Sequence, residues 1–268
     1  MMNKLTDPDS LRTDQYINSS NLYARAGLHQ RFSINEVGWH IWVFDHFILA
    51  EGSKILEVGS GPGSLWQQNL NRIQKSWEIS LSDISIGMLE EARTALGSTM
   101  CYRLAVHDAC NIPFPENEFD AVIANHMLYH IPDIPAALKE IKRVLKPDSC
   151  LYATTNGPAH LQEIKAWKSL FFPDQDLPEW GTPTLKFSIE NGEDLLNQDF
   201  KNIKFIAYPD YLLLDQVEPI IRYIRSYNKL EDSDPRTTAL RAYLQKKIKE
   251  NGSIRITKES GMFVATKH

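Results

Sequence analysis

Little cysteine, no basic excess and no long apolar run characterise this sequence before any motif does. Its three cysteines, Cys101, Cys110 and Cys150, are odd in number and widely spaced. That excludes a disulfide framework and a zinc motif built on paired cysteines. The net charge is -5 over 268 residues. Binding to polynucleotides or acidic lipid needs a basic footprint, so neither nucleic acid nor membrane is an expected partner. No apolar run approaches the ~20 residues that cross a bilayer. The opening segment, Met1 to Pro8, has no signal-peptide core, so a cytoplasmic location is expected. No cluster of His, Cys, Asp or Glu has metal-ligand spacing, and no metal is expected. There is neither an internal repeat nor a low-complexity tract, and oligomeric state leaves no trace. Hydrophobic content of 43% with 24% charged residues belongs to an ordinary globular chain.

The informative stretch runs from Lys54 to Trp66. Ile55 to Val58 is an apolar run of the kind that forms a buried parallel strand. Glycines then stand at alternate positions, Gly59, Gly61 and Gly63, with Ser60 between the first two. Glycine permits positive φ and close approach of backbone to a ligand. Loop amides followed by a helix start suggest a site for polar or anionic groups. A dinucleotide loop needs G-x-G-x-x-G, whereas the last glycine of that pattern is here Ser64. Glu57, just ahead of the loop, would repel a pyrophosphate and suits a ligand bearing positive charge. The E-x-G-x-G-x-G pattern formed by Glu57, Gly59, Gly61 and Gly63 resembles the first motif of the class I S-adenosylmethionine-dependent methyltransferases, in particular the small-molecule, ubiquinone-biosynthesis-like group.

Further along the chain, other stretches fit that resemblance. A second strand, Trp77 to Leu81, leads to Asp83, about 20 residues past the loop, where doubly wound folds hold ribose hydroxyls. Ser85 caps the next helix, whose buried side is Met88, Leu89, Ala92 and Leu96. A third strand, Cys101 to Val106, is followed by Asp108 and Ala109, which the resemblance places at the adenine. Pro113 to Asp120 is similar to the family's P-F-x-x-x-x-F-D signature and precedes a fourth strand, Ala121 to Asn125. Strand carboxyl ends line the ligand crevice of open α/β sheets, which puts Asn125 and His126 near the cofactor's amino-acid portion and reacting methyl. Ile84 and Met88 complete the implied cofactor set, and His130 reads as structural. Ile134, Leu138, Ile141 and Leu145 mark an amphipathic helix, and Cys150 to Thr155 a fifth strand. Asp148-Ser149 stands where relatives carry glycines.

Outside this core the reading rests on periodicity. Residues 1–20 are polar. Ser33 to Glu36 reads as a capping box for a helix at 34–49 with Ile34, Val37, Ile41, Phe44 and Ile48 inward. Trp39, Trp42 and His46 then form a second stripe, read as core packing or as a lid. A helix is expected at 63–74, another at His160 to Phe172, a sixth strand from Asn202 to Leu214, helices at 216–250 as a substrate-side cap, and a closing strand from Ile254 to Lys267. The expected fold class is α/β: a Rossmann-like seven-stranded, mostly parallel sheet of order 3-2-1-4-5-7-6, its last strand antiparallel, helices on both faces and a helical cap. The expected organisation is a lid segment at 1–50, a cofactor core at 51–157 and the rest of the sheet with its insertion at 158–268, all one structural domain. The resemblance implies S-adenosyl-L-methionine as cofactor and methyl transfer to a small-molecule acceptor by in-line displacement. His126, His29, Tyr16 and Tyr23 are candidates for a base or an acceptor contact. Rival readings are a protein or RNA methyltransferase, a non-catalytic cofactor-binding module and, with less support from the glycine spacing, a nicotinamide oxidoreductase. No N-P-P-Y tetrad follows the fourth strand.

Overall fold

A computed structural model of the chain describes residues 27–173, 186–225 and 231–268. The polar start at 1–20, Tyr16 and Tyr23 lie outside these residues. The described chain begins with α1 (27–32) and α2 (Trp39–Asp45). The core follows with β1 (Lys54–Val58), α3 (Ser64–Gln67), β2 (Glu78–Asp83), α4 (Ile86–Leu96), β3 (Tyr102–Val106), β4 (Phe119–Asn125), α5 (Ile134–Val144) and β5 (Leu145–Asn156). Then come α6 (Gln162–Phe171), α7 (Gly192–Leu196), β6 (Phe200–Tyr208), β7 (Tyr211–Leu214), α8 (Glu218–Arg225), α9 (Pro235–Asn251), β8 (Ile254–Thr257) and β9 (Ser260–Lys267).

The main sheet has the order β3-β2-β1-β4-β5-β9-β6, the expected 3-2-1-4-5-7-6 pattern. β1 to β5 pair parallel, and β9 enters antiparallel between β5 and β6. Its central strands are apolar on both faces because helices cover both. Along β4, Ala121 and Ile123 belong to the layer containing Trp42, Val43, Phe44 and Trp66. Val122 and Ala124 belong to the opposite layer, under α5, as strand alternation requires. On α5, Ile134, Ala137, Leu138, Ile141 and Val144 are buried, which is the i, i+3, i+4, i+7 stripe of a sheet-facing helix. Asp133 caps it by accepting from the Ala136 amide at 3.0 Å.

A separate apolar cluster forms the cap. Leu28 and Phe32 of α1, Ile164 and Trp167 of α6, Ile220 and Ile221 of α8, Leu240 and Leu244 of α9 and Ile256 of β8 share it. The cap therefore draws on four distant chain segments, wider than the 216–250 insertion expected. Asp234 and Pro235 start α9 as cap and first position: the Asp234 carboxylate accepts from the Arg236 amide at 2.8 Å.

Several expected elements are corrected. The helix at 34–49 shrinks to Trp39–Asp45, and the capping box does not form. Instead the Ser33 hydroxyl and the Ile34 and Asn35 amides all bond the carboxylate of Asp210, while Gly38 is extended at ψ 149. Ile34, Val37 and Ile48 are consequently exposed, and Trp42, Val43 and Phe44 are the buried residues. The helix at 63–74 breaks into α3 and a 3-10 turn at Leu70–Arg72. The sixth strand divides at Pro209-Asp210 and the closing strand at Lys258-Glu259, so that β7 and β8 form their own antiparallel ribbon against the cap.

β9 is crowded between its neighbours. A Cβ on Gly261 would lie 2.3 Å from the Phe205 ring and 2.5 Å from the Ile206 carbonyl oxygen. Neither can move without shifting the β6–β9 ladder, so Gly261→Ala is expected to destabilise the protein by about 1–3 kcal/mol. Denaturant unfolding checks this, and an unchanged midpoint would show that the ladder relaxes freely.

Candidate functional site: the carboxyl edge of the sheet

Three carboxylates stand in a row where β1, β2 and β3 end. Glu57 is 1% exposed, and its Oε2 accepts from the Trp66 indole at 2.6 Å. Burial pushes this carboxyl up to about 8; the Trp66 bond opposes the shift and the nearby Asp83 charge adds to it. Asp83 accepts from the Gly61 amide through Oδ2 and from the Ser85 amide through Oδ1, both at 2.9 Å. Burial raises its affinity for a proton, and the Ser85, Gly61 and Ile84 amides counter that. Asp108 accepts from the Cys110 amide at 2.9 Å. Asp83 and Asp108 keep lone pairs beyond these bonds, since an ionised carboxylate has about four acceptor sites.

The glycine turn lies between Glu57 and Asp83. Gly59 has φ +66, and a Cβ there would meet the Met127 side chain at 2.8 Å, so β1 and β4 close together only because no side chain intervenes. Gly63 caps α3 in the left-handed region at φ 75. The loop amides, however, are not a free anion nest. Ser60 N–H bonds Ser82 O, Gly63 N–H bonds Ser60 O and Gly61 N–H bonds Asp83. Internal bonds spend these donors, and a turn edged by the Asp83 and Asp108 carboxylates is a poor place for a pyrophosphate. It suits a cationic ligand with hydroxyls that approaches the backbone closely. Ser60 Oγ is buried without a partner and is available to such a ligand. Ile84 is partly exposed beside Asp83, and Met88 and Ala109 are buried.

At the end of β4 the chain turns sharply. His126 sits at φ 54, held by its amide donating to Thr154 Oγ1 at 2.9 Å. Thr154 in turn donates to Asn125 Oδ1 at 2.7 Å, and that oxygen also accepts from the Trp39 indole at 3.2 Å. Trp39 stacks on the His126 ring at 4.7 Å and meets Tyr208 edge-on at 5.1 Å. Trp39 thus lies over the carboxyl end of β4, while Trp42 is buried against the sheet: one of the two tryptophans suits the lid reading and the other the core reading.

Beyond Trp39 the wall continues in imidazoles. His29 and His160 stack at 5.7 Å. His160 Nδ1 accepts from the Glu259 amide at 3.2 Å, so the neutral ring carries its hydrogen on Nε2. Among the described residues, Nδ1 of His29 and of His126 has no partner. Burial, reinforced by the charges of Lys258 and neighbouring histidines, brings His126 down to about 3. Burial and Lys258 bring His29 to about 3, partly offset by Asp210. Burial holds His160 well below the usual range. All three are neutral at neutral pH. His130 lies against Tyr129, away from an unpartnered role. Trp66, Thr154, Tyr208 and His160 all lie within predicted elements, and no motif around them marks them as site residues. Two surface clefts on the cap, one of about 380 Å³ beside Arg31 and Gln216 and one of about 340 Å³ beside Trp167 and Tyr243, contain none of these groups. Among the described residues no group of three His, Cys, Asp or Glu could hold a metal ion, and no helix is long and apolar enough to cross a membrane.

Residues 56–153 match the family described as a methyltransferase domain. Over those residues the chain is similar to a methyltransferase domain. It is 34% identical over 150 residues to the ubiquinone/menaquinone biosynthesis C-methyltransferase of Chromobacterium violaceum, covering 52% of this chain and 59% of that protein. It is 29% identical over 135 residues to the malonyl-[acyl-carrier protein] O-methyltransferase of Legionella pneumophila, covering 50% of this chain and 47% of that protein. The aligned segment thus spans about half the length of these relatives. Phosphoethanolamine N-methyltransferase 2 of Haemonchus contortus, solved with S-adenosyl-L-methionine, shares the fold with a TM-score of 0.61 at 20% identity, covering 97% of this chain and 59% of that one.

Glu57 links this site to stability. In the unfolded chain it ionises near its ordinary value of 4.5, whereas in the folded protein it holds its proton to about 8. Its contribution is therefore fully present below about 4.5 and is lost as pH rises toward about 8. Glu57→Gln keeps an acceptor for Trp66 without that liability. Relative to wild type, the ligand-free variant is expected to gain stability steadily across this interval. Denaturant unfolding at both ends of it reads the difference; parallel pH profiles would mean Glu57 is ionised in the fold.

Proposed function

We propose that this protein is an S-adenosyl-L-methionine-dependent methyltransferase that transfers the methyl group to a small-molecule acceptor by in-line displacement, releasing S-adenosylhomocysteine. The observation that carries this reading is the row formed by Glu57, Asp83 and Asp108 around a glycine turn whose own amides are already bonded. When bound, the cofactor supplies a methyl group already activated by its positive sulfur. Asp83 keeps acceptor capacity for a ribose hydroxyl beyond its three amide bonds. Asp108, with Ala109, stands where the adenine edge would lie, flanked by Ile84 and Met88. Glu57 and the backbone from Gly59 to Gly63 face the amino-acid portion, with Asn125 and His126 closing the far side.

The chain's task is positioning and exclusion of water. Orientation of reactants alone is worth several kcal/mol. Trp39 covers the end of β4, and the cap places His29 and His160 on the acceptor side. A neutral imidazole accepts a proton only where the acceptor holds one to give. His126 and His29 are the described candidates. The relatives named above act on carbon, oxygen and nitrogen in turn. That range supports a division of labour in which the sheet edge holds the donor and the cap selects the acceptor.

Asp83→Ala is expected to weaken S-adenosylhomocysteine binding at least about tenfold, from the loss of charged hydrogen bonds worth about 1.5–3 kcal/mol each. Calorimetry reads the affinity, with Asp83→Asn to separate lost charge from a loosened turn. Unchanged affinity would remove Asp83 from this role. Transfer of labelled methyl from the cofactor to quinol-like or carboxylate acceptors tests turnover. Binding without transfer to any acceptor would favour the non-catalytic module, and preferential NAD(H) binding would overturn the cofactor assignment.

A further inference from the structure

The wall beneath the cap contains one ammonium group whose hydrogen-bonding capacity is mostly unused. Lys258 lies between β8 and β9, and its side chain is 6% exposed; that of its ion-pair partner Asp210 is 0% exposed. The partnership is unequal. Asp210 accepts from Lys258 and also from Ser33 Oγ and the amides of Ile34, Asn35 and Tyr211. Five donors satisfy a carboxylate and spread its charge. Among the described residues, Lys258 spends one of its three N–H donors on Asp210, and its ammonium also lies over the Tyr208 ring at 5.0 Å. Buried polar groups left with spare capacity are rare and call for an explanation.

The position of this group suggests one. Tyr208 touches Trp39 at 5.1 Å, and Trp39 stacks on His126 at 4.7 Å. Two ring contacts therefore lead from the ammonium to the end of β4. On the other side, Glu259 and Ser260 meet His160, which stacks on His29. Lys258 is close enough for its charge to act on all three rings. Those rings are neutral, and Lys258 is a cation whose charge reaches all three. One cation with two spare donors matches a singly charged, flat oxygen acid; a phosphate dianion asks for a second cation or a guanidinium fork.

We infer that Lys258 anchors a carboxylate carried by the methyl acceptor, setting that acceptor between the imidazole wall and the end of β4. This deepens the methyltransferase reading and rests on it. Tryptophan fluorescence reads the site because Trp39 touches Tyr208, the ring over which Lys258 lies. The full chain is titrated with benzoate, with its neutral isostere benzamide and with inorganic phosphate, each with and without S-adenosylhomocysteine. Benzoate is expected to bind at least tenfold more tightly than benzamide and not to be displaced by equimolar phosphate. Lys258→Met is expected to abolish the preference while leaving nucleoside affinity within a few-fold, and Lys258→Arg to retain it. Equal binding of benzoate and benzamide, or benzoate binding undiminished in Lys258→Met, overturns the inference. Tighter binding of phosphate than of benzoate overturns the assignment to a monoanion. If Lys258→Met does not fold, the wild-type preference and the Lys258→Arg titration still decide. Failure of the nucleoside to bind would count against the methyltransferase reading alone, because the nucleoside-free titration still reports on Lys258.

Discussion

The bond from the Gly61 amide to the Asp83 carboxylate is the contact on which the site depends. It ties the turn after β1 to the end of β2, the neighbouring strand. Without it the glycines, all at positive φ, would have little to choose between one loop shape and another. With it, Glu57, Asp83 and Asp108 become a row at fixed spacing, because β3, β2 and β1 are adjacent parallel strands in register. The same bond explains the character of the site. A turn whose amides are already bonded to Asp83, Ser82 and Ser60 offers little to a phosphate and much to a cation with hydroxyls.

The two halves of the molecule have different physical characters. The sheet edge is acidic, hydrogen-bonded and continuous with the largest core. The acceptor-side wall is aromatic and imidazole-lined, and the cap over it has its own apolar cluster assembled from α1, α6, α8, α9 and the β7–β8 ribbon. Asp210 joins them. It lies at the corner between β6 and β7 and clasps residues 33–35 through their backbone and hydroxyl groups. Trp39, which follows that clasp by a few residues, is thereby held over the end of β4.

Much of this was legible in the sequence where local chemistry decides. The buried strands announced themselves as apolar runs, α5 as a clean stripe, and the glycine turn and Asp83 by spacing, while Asp108 came from the family resemblance. The sheet order followed from the family resemblance, and the structure has it. The misreadings share one cause: a distant partner outcompeted a local pattern. The capping box at Ser33 was plausible until Asp210, 177 residues away, took the hydroxyl and two amides. The strand expected from Asn202 to Leu214 divides where Pro209 breaks the ladder and Asp210 turns inward. The closing strand divides where Lys258 turns inward to meet it. His160 and Tyr208 gain meaning only from what they touch, so no window of sequence around them could have revealed it.

The central claim is that the acidic, glycine-lined carboxyl edge of β1 to β4 holds a sulfonium nucleoside. The most direct measurement is a crystal structure grown with S-adenosylhomocysteine. The account predicts the ribose on Asp83, the adenine against Asp108 and Ala109, and the sulfur facing His126. A crevice left empty by that compound, yet filled by a dinucleotide under the same conditions, would contradict it.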